Sequence, residues 1–225
     1  MRLIDIQPQK EIDEDWKHAV AAGALALGGL SGGSKVTPPE TPPPTHHIQQ
    51  APTIISVPNL SGTRMEDILH KKAVKAGIQG EELAQFLAQC AHETMGFTRT
   101  REKGTAAYFA KKYDPKYAPI IAKLLGNTHS GDGESYRGAG GLQVSGKYWF
   151  TQAEKELGIP LLHHPELAND ISVGADLAVW YWKKKVQPHV SNFSDTKSVT
   201  KQINSGLDKL ERRDQLYKKY IGAAK

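Results

Sequence analysis

The sequence predicts a mainly α-helical domain with one small β element, preceded by a proline-rich linker. Three observations lead there. From residue 59 onward, apolar residues recur at helical spacing. One stretch alone, Gly141 to Gly146, reads as extended, and it follows a glycine-rich turn region at 126–141. Residues 36–58 hold seven of the thirteen prolines, which excludes helix and sheet ladders there and favours extended polyproline conformation.

The helices follow in order. Residues 64–77 fit one. Residues 81–95 give the clearest pattern, with Leu83, Phe86, Leu87, Cys90, Ala91 and Thr94 at helical spacing and Gly96 as a natural stop. Further helices are expected over 115–125, 147–157, 170–186, 196–204 and 208–221. The chain therefore divides into an N-terminal docking or anchoring segment (1–35), the linker (36–58) and one domain (59–225).

Residues 19–30 form a weakly apolar run of small residues. Twelve residues are too few for a membrane-spanning helix, which needs about 20. The run is long enough for a signal-peptide core, but more acids than bases precede it, against the usual positive start. A short helix that docks on a partner or touches a membrane is the favoured reading; a poorly ordered tail is the alternative.

Charge is unevenly spread. The whole chain has a formal charge of +5, while residues 61–225 carry 25 bases against 18 acids, a net of +7. Such a domain is drawn to polyanions, whether nucleic acid, teichoic acid, lipopolysaccharide or peptidoglycan. No nucleic-acid-binding motif accompanies the charge, so nucleic acid is not the expected partner. The lone Cys90 excludes an intramolecular disulfide and reads as a buried structural thiol. His46 and His47 lack further ligands at metal-binding spacing, and His163 and His164 read as loop residues, so no metal or other cofactor is expected.

The first candidate for chemistry is Glu93, one turn from the end of the 81–95 helix and on the flank of its apolar stripe. Partial desolvation and the negative end of the helix dipole both favour the neutral acid there. That suits a proton donor to a leaving oxygen. A capped surface glutamate is the plain alternative. Glu102 follows nine residues later. On one continuous helix it would lie about 13.5 Å away on the opposite face. Gly96 lets the chain turn back, so that two carboxyls can flank a cleft at the roughly 6.5–9.5 Å that admits a water. In the run Gly131-Asp-Gly-Glu-Ser-Tyr-Arg-Gly-Ala-Gly-Gly-Leu-Gln-Val-Ser-Gly146, glycines allow close backbone approach to a ligand. If 142–145 is extended, Gln143 and Ser145 share a face. Neither dinucleotide nor P-loop spacing is present.

These residues resemble family 19 of the glycoside hydrolases, the chitinase-like group that includes many phage endolysins. Five ordered motifs over most of 65–220 carry the resemblance. The segment Phe86-Leu-Ala-Gln-Cys-Ala-His-Glu-Thr-Met-Gly-Phe97 is similar to the family helix that ends in His-Glu-Thr/Ser-x-Gly-Phe. Glu102 falls where the bacterial and phage branch has its second glutamate. The 131–146 run is similar to Gly-Asp-Gly-x-x-Tyr-Arg-Gly-Arg-Gly-x-x-Gln-x-Thr/Ser-Gly. Pro165 to Trp182 resembles the helix ending in Ala-x-Trp-Phe/Tyr-Trp. Ile203-Asn-Ser-Gly-Leu-Asp-Lys-Leu-Glu-Arg-Arg213 resembles Ile-Asn-Gly-Gly-x-x-Gly-x-x-x-Arg.

The resemblance implies a lysozyme-like fold of two mostly helical lobes with a cleft between them, and an inverting, metal-free hydrolysis. Glu93 would be the acid, Glu102 the base, and Ser145 would hold the water. Gln143, Tyr136, Asn204 and His92 would bind sugar, and Arg213 would organise the carboxylates by charge. Four positions depart from the pattern. Ala139 replaces an arginine, Trp149 a frequent asparagine, and Met95 and Ser205 each a glycine. They bear on sugar subsites and put chitin as substrate in question. Trp180, Tyr181 and Trp182 face three directions on a helix, so at least one packs inside. Lys183–Lys185 read as a solvated helix end.

The expected function is hydrolysis of β-1,4 bonds between amino sugars, with peptidoglycan the favoured glycan. A chitinase of the same family and a non-catalytic wall-binding virion protein are the alternatives. The acidic start before the apolar run fits a phage protein better than a secreted chitinase. The expected location is a phage virion, with residues 1–35 against particle proteins or a membrane, or the periplasm and wall of the host cell.

Overall fold

The computed structural model describes residues 56–224, which belong to one compact unit. The docking segment 1–35 and residues 36–55 of the linker lie outside the described residues.

The domain is built on α2 (Gly80–Glu93), preceded by α1 (Arg64–Lys75). Every residue from Leu83 to His92 is buried, polar ones included. The reason is that α2 is covered on several sides, most extensively by α9 (Leu210–Gly222). Polar residues survive there because they are satisfied. Gln85 Nε2 donates to Thr196 Oγ1 at 2.8 Å and Gln89 Nε2 to Thr200 Oγ1 at 3.1 Å, tying α2 to α8 (Thr196–Ile203). Cys90 is fully buried, and burial followed by the nearby Glu93 charge pushes its thiol well above its ordinary value, away from thiolate chemistry.

The remaining helices are α3 (Ala106–Tyr113), α4 (Pro119–Leu125), the single turn α5 (Asp132–Ser135), α6 (Lys147–Leu157) and α7 (Ile171–Tyr181). The main core gathers Phe86, Leu87, Phe150, Leu177 and Trp182, with Phe86 edge-on to Trp182 at 5.3 Å. A second, separate cluster of Phe109, Tyr113 and Leu125, with Ile121 against it, lies under α3 and α4. Main and minor cores give the two lobes of a lysozyme-like helical fold.

Four details differ from expectation. The helix expected over 115–125 begins at Pro119, a proline suited to the first helical position. The helix 106–113 was not expected; Thr105 caps it, its side chain accepting from Tyr108 N at 3.2 Å. The helix expected over 170–186 ends at Tyr181 and widens into a π turn at Trp182–Val186. The β element at 141–146 is not a strand. Among the described residues it reduces to two isolated antiparallel bridges, Arg101 with Ala139 and Ala139 with Val144. Gln143, at φ 52°, turns the chain out of extended conformation between them.

Candidate active site

Glu93 is the last residue of α2, and the chain reverses directly after it. Thr94 Oγ1 donates to Cys90 O at 2.6 Å and accepts from Phe97 N at 2.9 Å. Met95, Gly96 and Phe97 then take φ of 54°, 75° and 62° in succession. Glycine adopts this conformation freely, but Met95 and Phe97 each store about 1–2 kcal/mol there. Phe97 is held in place by burial at 6 % exposure. The reversal brings Glu102 back beside the helix end.

The two carboxyls line one groove enclosing about 730 Å³, part of it open to solvent. Each is held by its own cation. Arg213 Nη2 donates to Glu93 Oε1 at 2.6 Å, and its Nη1 to Gln89 Oε1 at 2.6 Å. On the other side Glu102 Oε1 accepts from Lys112 Nζ at 2.9 Å, and Tyr113 OH lies 3.1 Å from both oxygens. These are charge-assisted contacts, roughly twice as strong as neutral ones. Glu93 thus hangs from the main core and Glu102 rests on the minor one.

Gly138 completes the Glu102 side. Its N–H points at Glu102 Oε2 at 3.4 Å, and its carbonyl accepts from Glu102 N at 2.7 Å. A side chain at Gly138 would press on Gln143 and Ser145 at 3.2–3.3 Å. The start of the glycine-rich run has a different job. Gly131 N and Gly133 N donate to the Asp114 carboxylate at 2.9 and 2.7 Å, docking the run on α3.

Of the residues expected to bind sugar or water, Gln143, Ser145 and Asn204 line the groove. Ser145 Oγ donates to Gln143 O at 3.1 Å, and Asn204 Oδ1 accepts from Asp208 N at 3.4 Å. Gln143 and Ser145 do not share a strand face, because Gln143 is left-handed. Three others lie off the groove. Tyr136 is 8 % exposed, packs on Phe150 and donates its hydroxyl to Leu162 O at 2.9 Å, which makes it a packing residue. His92 is buried on α2 and absent from the lining. Arg213 is 1 % exposed, so it has no surface for sugar, and its guanidinium is turned to Glu93.

Lys112, Tyr113 and Gln89 were not singled out in the sequence. A capping threonine followed by a lysine and tyrosine at the end of a short helix was the available signal for the first two. Trp180, Tyr181 and Trp182 are all buried; only Tyr181 reaches the groove, where Trp149 meets it at 5.0 Å between ring centroids. Trp149, one of the departures from the family pattern, is therefore a wall of the site.

Two carboxylates in one groove, each set by a separate cation, are the arrangement that a paired-carboxylate glycosidase requires. A family model described as chitinase class I matches residues 71–215. The chain belongs to glycoside hydrolase family 19 and is a chitinase-like glycosidase. A family 19 domain-containing protein of Haemophilus influenzae is 35% identical over 167 residues, covering 64% of this chain and 81% of that protein. An endochitinase of Arabidopsis thaliana is 31% identical over 136 residues, or 60% of this chain and 43% of the plant protein. The chain thus spans less than half the length of that endochitinase. Among solved structures, chitinase C of Streptomyces griseus aligns with a TM-score of 0.54 at 22% identity, over 73% of this chain and 85% of that one. This last likeness concerns the fold.

Proposed function

We propose that this glycosidase cleaves the β-1,4 bonds between N-acetylmuramic acid and N-acetylglucosamine in peptidoglycan, with inversion at the anomeric carbon. The observation that carries the reading is the shared groove of Glu93 and Glu102, each carboxyl fixed by a different cation from a different core. Glu93 gives its proton to the glycosidic oxygen as the C1–O bond breaks. Glu102 takes a proton from a water that attacks C1 from the opposite face. Ser145 holds that water, and Gln143 and Asn204 bind sugar hydroxyl and amide groups. Arg213, Lys112 and Tyr113 keep the two carboxyls from rotating away.

The net charge of +7 over residues 61–225 supports a wall polymer rather than neutral chitin. The setting we favour is a phage-borne lysin, carried by the virion through residues 1–35 and acting in the periplasm or wall of the host. Its proline-rich linker supports that reading, as a spacer between an anchor and an enzyme.

Digestion of purified peptidoglycan followed by mass spectrometry tests the assignment. Wild type should release disaccharide muropeptides, with the anomer formed first, read by NMR, inverted relative to the substrate. Glu93→Gln should lower kcat about 10²–10⁴-fold. Turnover of chitin oligomers with none on peptidoglycan would replace this reading with a chitinase. Full activity in Glu93→Gln would remove the acid role. Purified particles lacking the protein would reject the virion tether.

A further inference from the structure

Beside the groove lies a second recess of about 500 Å³. Glu93 and Glu102 line both spaces, whereas Met95, Arg99, Lys103 and Tyr108 line only the second. The reacting carboxyls already have their counter-ions in Arg213 and Lys112. Arg99 and Lys103 make no ion pair and no side-chain hydrogen bond with any described residue. Two uncompensated positive charges therefore stand on the wall of a recess that opens onto the reacting pair.

The placement of Arg99 is fixed by the backbone. Arg99 N donates to Thr94 O at 3.1 Å, so Arg99 is locked to the end of α2 by the same reversal that follows Glu93. Arg99 is half-buried and Lys103 exposed, and the exposed side chains of Tyr108 and Met95 share the same lining. A guanidinium and an ammonium side by side match the carboxylate of an acidic amino acid. Guanidinium pairs with carboxylate in a planar fork.

We propose that this recess takes the acidic stem peptide of peptidoglycan, with Arg99 and Lys103 binding a stem carboxylate beside the bond that is cut. The assignment rests on the peptidoglycan reading above. A stem peptide branches sideways from every second sugar, so an enzyme that cuts next to such a sugar must lead the branch out of the groove. The recess adjoining Glu93 and Glu102 is that exit. Chitin, whose sugars bear only neutral acetamido groups, has nothing to place there.

The test compares wild type with Arg99→Gln/Lys103→Gln on phosphate-free peptidoglycan and on the same material with its carboxyls capped as methylamides. In the double variant the ratio of native to capped kcat/KM should fall about tenfold, mostly through KM, as expected for two part-exposed ion pairs. Far-UV circular dichroism checks that the variant is folded. An unchanged ratio, with wild type active on native peptidoglycan, overturns the recess assignment alone. A difference that appears only on phosphate-bearing walls overturns it in favour of a phosphate polymer. Wild type idle on native and capped material alike overturns the peptidoglycan reading and this recess with it.

Discussion

Arg213 and Glu93 meet at 2.6 Å although 120 residues separate them. The arginine is 1 % exposed and reaches through the domain from α9 to the end of α2. Its Nη1 and Nε donate to Gln89 Oε1 and to Asp208 O, at 2.6 and 3.0 Å. The pairing is thus both a structural tie and the setting of the proposed acid.

Removing one member of such a buried pair leaves an uncompensated charge. Arg213→Met should therefore destabilise the domain by about 3–5 kcal/mol in urea denaturation. Glu93→Gln, which keeps a hydrogen-bonding oxygen opposite the guanidinium, should cost less. Equal losses in the two variants would show that Arg213 is held mainly by its other contacts.

A second expectation concerns two glycines in different parts of the sequence. A Cβ on Gly174 would meet Ala168 O at 2.7 Å and Gly140 Cα at 3.0 Å, all backbone atoms. Gly174→Ala should cost about 1–3 kcal/mol as an overpacking change. It should also lower activity, because Gly140 belongs to the bridge segment that carries Gln143. Gly222, with open space around it, should accept alanine with no loss of melting temperature.

The acid limb of stability should depend on Asp132. Burial pushes this carboxyl up, but backbone N–H groups of His129 and Thr128, with the Lys147 ammonium, together hold it below its ordinary 3.8. A depressed folded-state value means that the unfolded chain takes up the proton first. Its contribution is whole above about pH 4 and is lost as pH falls through the lower folded value. Asp132→Asn should lose about 1.5 kcal/mol at neutral pH and flatten the stability profile below pH 4. An unchanged acid slope in urea titrations would assign the limb to other carboxylates.

Much of the fold was legible because α2 writes its burial into its spacing, from Leu83 through Cys90. Glu93 was legible for the same reason, as the last acid on that helix before Gly96. The surroundings of Glu102 were harder to read. Glu102 is held by Lys112 and Tyr113, which lie on an eight-residue helix too short to impress a period on the sequence. Tyr136 sits in a motif of ligand-like glycines, yet its ring belongs to Phe150 and its hydroxyl to Leu162. Nothing in local sequence distinguishes a tyrosine that faces a groove from one that faces a core. Gln143 defeated the strand reading because non-glycine residues at positive φ carry no compositional sign.

Glu66, fully buried, accepts from Leu60 N at 2.8 Å, from Ser61 N at 2.5 Å and from Tyr220 OH at 2.7 Å. The segment entering the domain is thereby buttoned to its last helix. Upstream of this knot, buried Val57 holds its carbonyl against His70 Nε2, so tension on the entering chain meets two holds, the second shared with α9. Were the domain tethered as proposed, a pull on the tether would be absorbed by these holds at its entry.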